Sequence, residues 1–315
     1  MTPAAPEMSS FRLKRGDRVA VVAPSGPLRA AALESGMALL RRRGFEVVAG
    51  EHVRDRRAYL AGTDEDRAAD FNRALRDRSV RAVWLARGGY GLPRILDRLE
   101  LGRLKDDPKI LIGYSDATAL FSAVLRIAAA PIVHGPMVGT LADRKAYHAP
   151  SLWGVLSGVP MEYRLARGAI HRAGVAEGPI VGGCLSLLAS VAGTPYEPPL
   201  DGAILFWEDL HEEPFRLDRM LAQLRHAGWL RRIRGMIVGR LLNCRAAKRE
   251  NDVPLRDILA AHLVGTDYPV VTDFPAGHAP GQRALPLGVP ARLDTRSGRL
   301  EVGRAPSRAA SLSAR

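Results

Sequence analysis

Three side chains of this chain stand where α/β proteins usually keep their chemistry, just past the C-terminal ends of apolar runs. Ser115 follows Lys109–Gly113 (KILIG) in a Gly-Tyr-Ser-Asp turn. Glu208 follows the apolar run ILFW. His278 lies in Asp273–Gly281 (DFPAGHAPG), immediately after PVVT. A serine, a carboxylate and an imidazole so placed could form an acyl-transfer triad. A sharp strand-to-helix turn at Ser115 would lift its hydroxyl clear of the backbone. The same turn would aim the first amides of the next helix, that of Asp116 among them, at an oxyanion. The sequence departs from the G-x-S-x-G elbow, because Asp116-Ala117 follows the serine. Taken alone, these four residues are better explained as a helix N-cap.

A second Gly-rich turn, Arg87-Gly88-Gly89-Tyr90-Gly91, also follows an apolar run. Its glycines let backbone amides approach a ligand closely, though a plain tight turn uses the same residues. No G-x-G-x-x-G dinucleotide fingerprint accompanies it. Arg87 and Tyr90 are candidate substrate contacts there; an arginine at a strand end is also an ordinary surface ion-pair partner. Glu208 is followed by Asp209, Glu212 and Glu213, and the last two suit a helix N-terminus. With neither an H-E-x-x-H motif nor a His/Cys cluster, no metal or other cofactor is expected.

These groups need a scaffold, and the first half supplies alternating elements. Strands are expected at Arg18–Ala23, Phe45–Val48, Val80–Ala86, Lys109–Gly113 and Pro131–Val133. Between them, Leu28–Arg43 reads as a helix stopped by Gly44, and Thr63 through Asp66 as a capping box opening another. A further helix runs from the Ser115 turn to about Arg126. Such alternation implies parallel βαβ units in a doubly wound sheet. The stretch 142–176 is less regular and serves as the crossing into a second domain. Beyond it, strands are expected at Pro179–Val181, Ala203–Trp207, Met236–Val238 and Pro269–Thr272, and a helix at Pro214–Ala227. Ala291–Asp294 and Arg299–Val302 read as a hairpin, and the tail after Gly303 as frayed.

The ordered motifs resemble the LD-carboxypeptidase family, the muramoyltetrapeptide carboxypeptidases of peptidoglycan recycling. They are VAPSGP (22–27), RGGYG (87–91), IGYSDATAL (112–120), HGPM (134–137), GGCLSL (182–187), WED (207–209) and DFPAGH (273–278). The likeness runs from about Arg18 to Val302. It implies an N-terminal flavodoxin-like domain, 1–165, carrying the nucleophile. A C-terminal swivelling β/α domain, 166–315, would then carry the glutamate and histidine. It implies Ser115 as nucleophile, His278 as general base and acid, Glu208 orienting the imidazole, and an oxyanion hole from the amides of Gly89 and Asp116. The implied substrate is a murein tetrapeptide, free or muropeptide-linked, cut between an L-centre of the diamino acid and the terminal D-Ala by a homodimer. One departure is Cys184, where family members often carry Asn. An immunity-type peptidase of the same family, cleaving a peptidyl-nucleotide, is the nearest rival, and a non-catalytic wall-peptide binding module another.

The 315 residues carry 46 Lys+Arg against 33 Asp+Glu, a balance of +13. That surplus raises nucleic acid, anionic lipid or an acidic substrate as partners. It is split +8 and +5 between residues 1–150 and 151–315, so there is no basic arm. Its densest clusters, Arg41–Arg43 and Arg231, Arg232 and Arg234, fall near expected helix ends, where cations suit the macrodipole. Aromatics at 6% are thin for a stacking platform, so no nucleic-acid partner is expected. No apolar run is long enough for a membrane span, the N-terminus has no signal-peptide core, and two cysteines suggest no oxidising compartment. A cytoplasmic protein without a membrane partner is expected.

Overall fold

The computed structural model describes residues 5–304 apart from 249 and 251. The tail expected to fray lies outside these residues from 305 on. In chain order the strands and α-helices begin with β1 (Arg18–Val22), α1 (Ala30–Arg42), β2 (Glu46–Ala49), α2 (Asp64–Arg76) and β3 (Val80–Leu85). Next come β4 (Ile110–Gly113), α3 (Ala117–Ile127), β5 (Ile132–His134), α4 (Ala149–Val155), β6 (Met161–Arg164) and β7 (Ile170–Arg172). The chain continues with β8 (Val175–Cys184), α5 (Leu185–Val191), β9 (Ile204–Leu210), α6 (Pro214–His226), α7 (Trp229–Arg232) and β10 (Gly235–Leu242). It finishes with α8 (Leu255–His262), β11 (Val270–Phe274), β12 (Leu285–Leu287), β13 (Pro290–Asp294) and β14 (Arg299–Val302).

The first sheet has the order β12-β5-β4-β3-β1-β2. Its first five strands in sequence are parallel and follow the flavodoxin-like order 2-1-3-4-5. The sheet is not wholly parallel, because β12 returns from far down the chain and pairs antiparallel with β5. The second sheet runs β6-β14-β13-β8-β9-β10-β11-β7. There β8, β9, β10 and β11 are parallel, with antiparallel neighbours on both sides. The expected division at 165/166 falls one residue after β6, which already pairs within the second sheet. The chain recrosses to the first sheet between β11 and β12, on the segment holding His278.

Local chemistry explains most boundaries. The Thr63 hydroxyl accepts the Asp66 amide at 3.1 Å while the Asp66 carboxylate reaches back to the Thr63 amide, completing the capping box of α2. Pro214 occupies the first turn of α6, where its missing N–H costs nothing. Arg41 and Arg42 close α1, and Arg231 and Arg232 close α7, as the charge clusters suggest. β8 is far longer than the three residues expected. Val175–Pro179 pairs antiparallel with β13, and Ile180–Cys184 then pairs parallel with β9. The Gly-Pro inside this strand marks a change of partner rather than its start. The stretch 142–176 likewise holds α4, β6, a 3-10 turn at Arg167–Ala169, β7 and the start of β8.

Helix α3 begins two residues after Ser115 and is apolar nearly all round, with Ala117 through Leu125 all buried. Such a helix must be covered on every side. It packs on its own sheet's connecting turns and also on α5 and β8 of the second unit. A hydrogen bond seals that junction, from the Cys184 amide to the Thr118 hydroxyl at 2.9 Å. The helix that follows the serine turn is thereby braced by both sheets. Losing a fully buried side chain such as Phe121 would cost about 3–5 kcal/mol.

Candidate active site

Ser115 sits between the end of β4 and the start of α3 with φ of 66°, a left-handed conformation uncommon for a residue bearing a Cβ. The turn is held from beneath by Asp116, whose side chain points away from the cleft. Its Oδ2 accepts the Ser25 hydroxyl at 2.5 Å and the Leu92 amide at 2.8 Å. Three loops at the C-terminal edge of the first sheet, those after β1, β3 and β4, are joined through this one carboxyl group. Burial raises the Asp116 carboxyl above the usual range, against the opposing hydrogen bonds from Ser25 and Leu92. The N-cap reading of Asp116 is half met: it precedes α3, but its side chain makes no cap bond.

The Gly-rich loop after β3 lies directly against the serine. A Cβ at Gly88 would stand 2.9 Å from Ser115 Cβ and 3.1 Å from its Oγ. Only glycine permits this approach, which brings the backbone of Gly88 beside the hydroxyl. Gly88, Gly89, Arg87, Tyr114, Ser115, Met137 and His278 all line one cleft of about 420 Å³. Arg87 is on its rim, with Nη1 donating to the Pro27 carbonyl at 2.6 Å. Tyr90 is not among the cleft-lining residues. It is exposed and packs at a tilt against Tyr59, ring centroids 6.1 Å apart.

Glu208 comes from the second sheet. Sequence reading placed it just after a strand, but β9 runs on to Leu210, so the carboxylate lies within the strand and is fully buried. Its Oε2 accepts the His278 backbone amide at 3.1 Å and pairs with His278 Nδ1 at 2.8 Å. Gly277, with φ of 113°, makes this possible, since a Cβ there would fall 2.5 Å from Oε2. Burial works to raise the Glu208 carboxyl, but the neighbouring His134 and His278 imidazoles, the latter hydrogen-bonded to it, outweigh burial and hold it down to about 2. The group is therefore a carboxylate across the neutral range. With Nδ1 so engaged, Nε2 is the His278 nitrogen left to act in the cleft shared with Ser115. The Tyr114 ring meets the imidazole edge-on, ring centroids 4.9 Å apart.

Sequence reasoning missed two neighbours of this pair. His134 ends β5 and is fully buried, with Nε2 3.8 Å from Glu208 Oε1. It was visible only as part of an HGPM motif. Asp209, passed over as one acid of a cluster, is buried and accepts the Ser186 and Leu210 amides at 2.8 Å each. Cys184 stands opposite Glu208 in the β8–β9 register, with Sγ 3.3 Å from Asp209 Oδ1 and 3.2 Å from Ser186 Oγ. Burial and the nearby Glu208 and Asp209 push its thiol well above the ordinary value, which disfavours the reactive thiolate.

Away from the cleft-lining residues, His52, Asp55 and Asp66 bring ligand-type atoms within 4.8 Å of one another. These side chains already serve one another: His52 Nδ1 pairs with Asp55 at 2.8 Å, and Asp66 holds the α2 cap. Among the described residues no helix is long and apolar enough to cross a membrane.

A carboxylate-held imidazole and a serine on a strained turn thus line one cleft, with Gly88 and Gly89, on a two-sheet α/β fold. The chain belongs to the LD-carboxypeptidase family. The family's N-terminal domain model matches residues 19–135 and its C-terminal domain model residues 177–293. A Streptomyces coelicolor relative, provisionally named a carboxypeptidase, is 41% identical over 93% of this chain and 95% of its own. The murein tetrapeptide carboxypeptidase of Pseudomonas aeruginosa is 33% identical over 88% of this chain and 93% of its own. The solved muramoyltetrapeptide carboxypeptidase of Oxalobacter formigenes superposes with a TM-score of 0.83 at 30% identity, covering 92% of this chain and all of the other. The chain is thus a peptidase of the carboxypeptidase class.

Proposed function

We propose that this chain is a serine-type L,D-carboxypeptidase that removes the terminal D-Ala from murein tetrapeptides. The observation that carries the reading is the His278–Glu208 pair, held at 2.8 Å in the cleft that Ser115 lines. Ser115 Oγ attacks the carbonyl joining the diamino acid to D-Ala, and His278 Nε2 takes its proton. Buried Glu208 stabilises the imidazolium and fixes the tautomer. The amides of Gly89 and Asp116 receive the oxyanion. His278 then gives its proton to the amine, the C–N bond breaks and D-Ala leaves. A water, deprotonated by the same imidazole, attacks the acyl-Ser115 ester and releases the tripeptide with the serine restored.

Two domains meeting near 165/166 would place Ser115 on one and Glu208 and His278 on the other. The named substrates of the Pseudomonas and Oxalobacter relatives support the peptide chosen here. The test is incubation with purified tetrapeptide and mass spectrometry for loss of one D-Ala, beside a peptidyl-nucleotide conjugate. Turnover of the tetrapeptide, abolished in Ser115→Ala, is expected. Cleavage of the conjugate alone would replace this reading by the immunity-type one. Binding of tetrapeptide without hydrolysis would leave a binding module.

A further inference from the structure

One buried titratable group has no part in the steps above. His134 closes β5 in the first sheet, and its ring is fully enclosed. Neither of its ring nitrogens finds a hydrogen-bond partner among the described residues. The same holds for Glu208 Oε1, the carboxylate oxygen that His278 does not use. These unpartnered atoms face each other across the junction of the two sheets, Nε2 to Oε1 at 3.8 Å. A neutral imidazole must carry one N–H, and burying it without an acceptor is costly, as is burying a carboxylate oxygen without a donor. A shift of about 1 Å closes the gap to an ordinary hydrogen bond and satisfies both.

The surroundings leave His134 little else to do. Phe206 meets its ring edge-on at 5.0 Å and Tyr114 at 6.0 Å, and neither ring face offers it an acceptor. The other titratable groups whose charge reaches Glu208 are Tyr114, Cys184, Asp209 and Cys244, none of which can be cationic. Support for the ionised carboxylate therefore comes from two imidazoles, one at each oxygen.

We propose that His134 is a positioning residue for the catalytic pair: as its Nε2–H tautomer it donates to Glu208 Oε1 and keeps Oε2 turned onto His278. The proposal rests on the serine-triad reading above. It makes the site an imidazole–carboxylate–imidazole chain in which β5 supplies one end and the loop after β11 the other. The inner histidine never meets substrate.

The test compares wild type with His134→Leu, which fills the space without a donor, and His134→Gln, whose amide can still donate. The readouts are kcat and KM for D-Ala release and the rate at which a fluorophosphonate labels Ser115. For His134→Leu, kcat and the labelling rate fall about 10–100-fold, the range for losing a hydrogen bond to a charged group, with KM little changed. His134→Gln recovers most of that loss. A Leu variant labelled at the wild-type rate, or a Gln variant no better than Leu, would make His134 a packing residue and overturn the proposal. Should the Leu variant not fold, ring ¹⁵N shifts of the wild-type protein decide: an Nε2–H tautomer at His134 supports the proposal, and Nδ1–H overturns it. Ser115→Ala and His278→Ala run alongside. Turnover surviving in those would strike down the triad reading itself, whereas their inactivity beside an unaffected Leu variant strikes down the role of His134 alone.

Discussion

Glu208→Gln changes one buried oxygen to an amide and keeps the shape of the site. In the wild type, Oε2 receives two N–H groups of His278, at 2.8 and 3.1 Å, and its charge is complementary to the imidazolium that forms when Ser115 is deprotonated. Gln can accept the same hydrogen bonds but brings no charge. Flipped, it presents NH2 to Nδ1 and selects the wrong tautomer. Carboxylate-to-amide exchange in a serine triad costs about 10⁴ in kcat by this route. The expectation here is a loss of about 10³–10⁴ in D-Ala release with KM nearly unchanged. A second consequence concerns stability. The Glu208 carboxyl goes from an ordinary 4.5 in the unfolded chain to about 2 in the folded one. Its folded value is the lower, so its contribution is fully present above 4.5 and is lost as pH falls toward 2. That depression corresponds to about 3 kcal/mol of pH-dependent stability, as an order of magnitude. Urea melts of wild type and variant across that window should therefore converge as the pH is lowered. A variant that keeps a tenth of wild-type kcat, or a stability difference that does not move with pH, would refute the reasoning.

Gly277→Ala places a Cβ 2.5 Å from Glu208 Oε2 at a φ of 113°, so it should separate His278 from the carboxylate and lower kcat by at least about 100-fold; wild-type turnover would show that the loop relaxes freely. Asp116→Ala strands the Ser25 hydroxyl and the Leu92 amide, so denaturant melts should show a loss of about 2–4 kcal/mol, while Asp116→Asn, which can still accept, stays within about 1 kcal/mol of wild type. Equal losses in the two would mean the carboxyl group does not join the three loops. Native protein should show no fast-reacting thiol toward Ellman's reagent at neutral pH, because Cys184 is buried with its thiol pushed well up and Cys244 is raised to about 11. Rapid release of the chromophore would contradict this. The net charge of +13 should help draw in a carboxylate-rich peptide, so kcat/KM for the tetrapeptide falls as salt rises; a flat response removes any steering role.

What could be read ahead of the structure was local. The apolar run of β4 and the all-apolar α3 flank Ser115 within a dozen residues, so the strand–turn–helix unit and its place in a parallel sheet follow from pattern alone. The capping box of α2 and the hairpin of β13 and β14 are short-range signals of the same kind. The left-handed φ of Ser115 was not legible, because nothing in Tyr-Ser-Asp announces a conformation that normally calls for glycine. It is imposed from outside, by Asp116 reaching back to Ser25 some ninety positions earlier. The strand expected to end at Trp207 ran on for the same reason. Glu208 and Asp209 look like a polar stop, yet each finds a partner distant in sequence, His278 for one and Ser186 for the other. A charged residue can extend a buried strand only when its partner arrives from elsewhere, and no window of neighbouring residues contains that partner. β12 illustrates the backbone version: three residues with a central proline make a poor strand by propensity, but as an edge strand against β5 they serve. That pairing has a chemical consequence. It sets Leu285 beside His134, closing the last open side of β5, so the imidazole is enclosed, with the carboxylate of the other sheet 3.8 Å from its Nε2. The residue types of the site were visible in the chain as separate motifs; their coupling is a property of where two sheets meet.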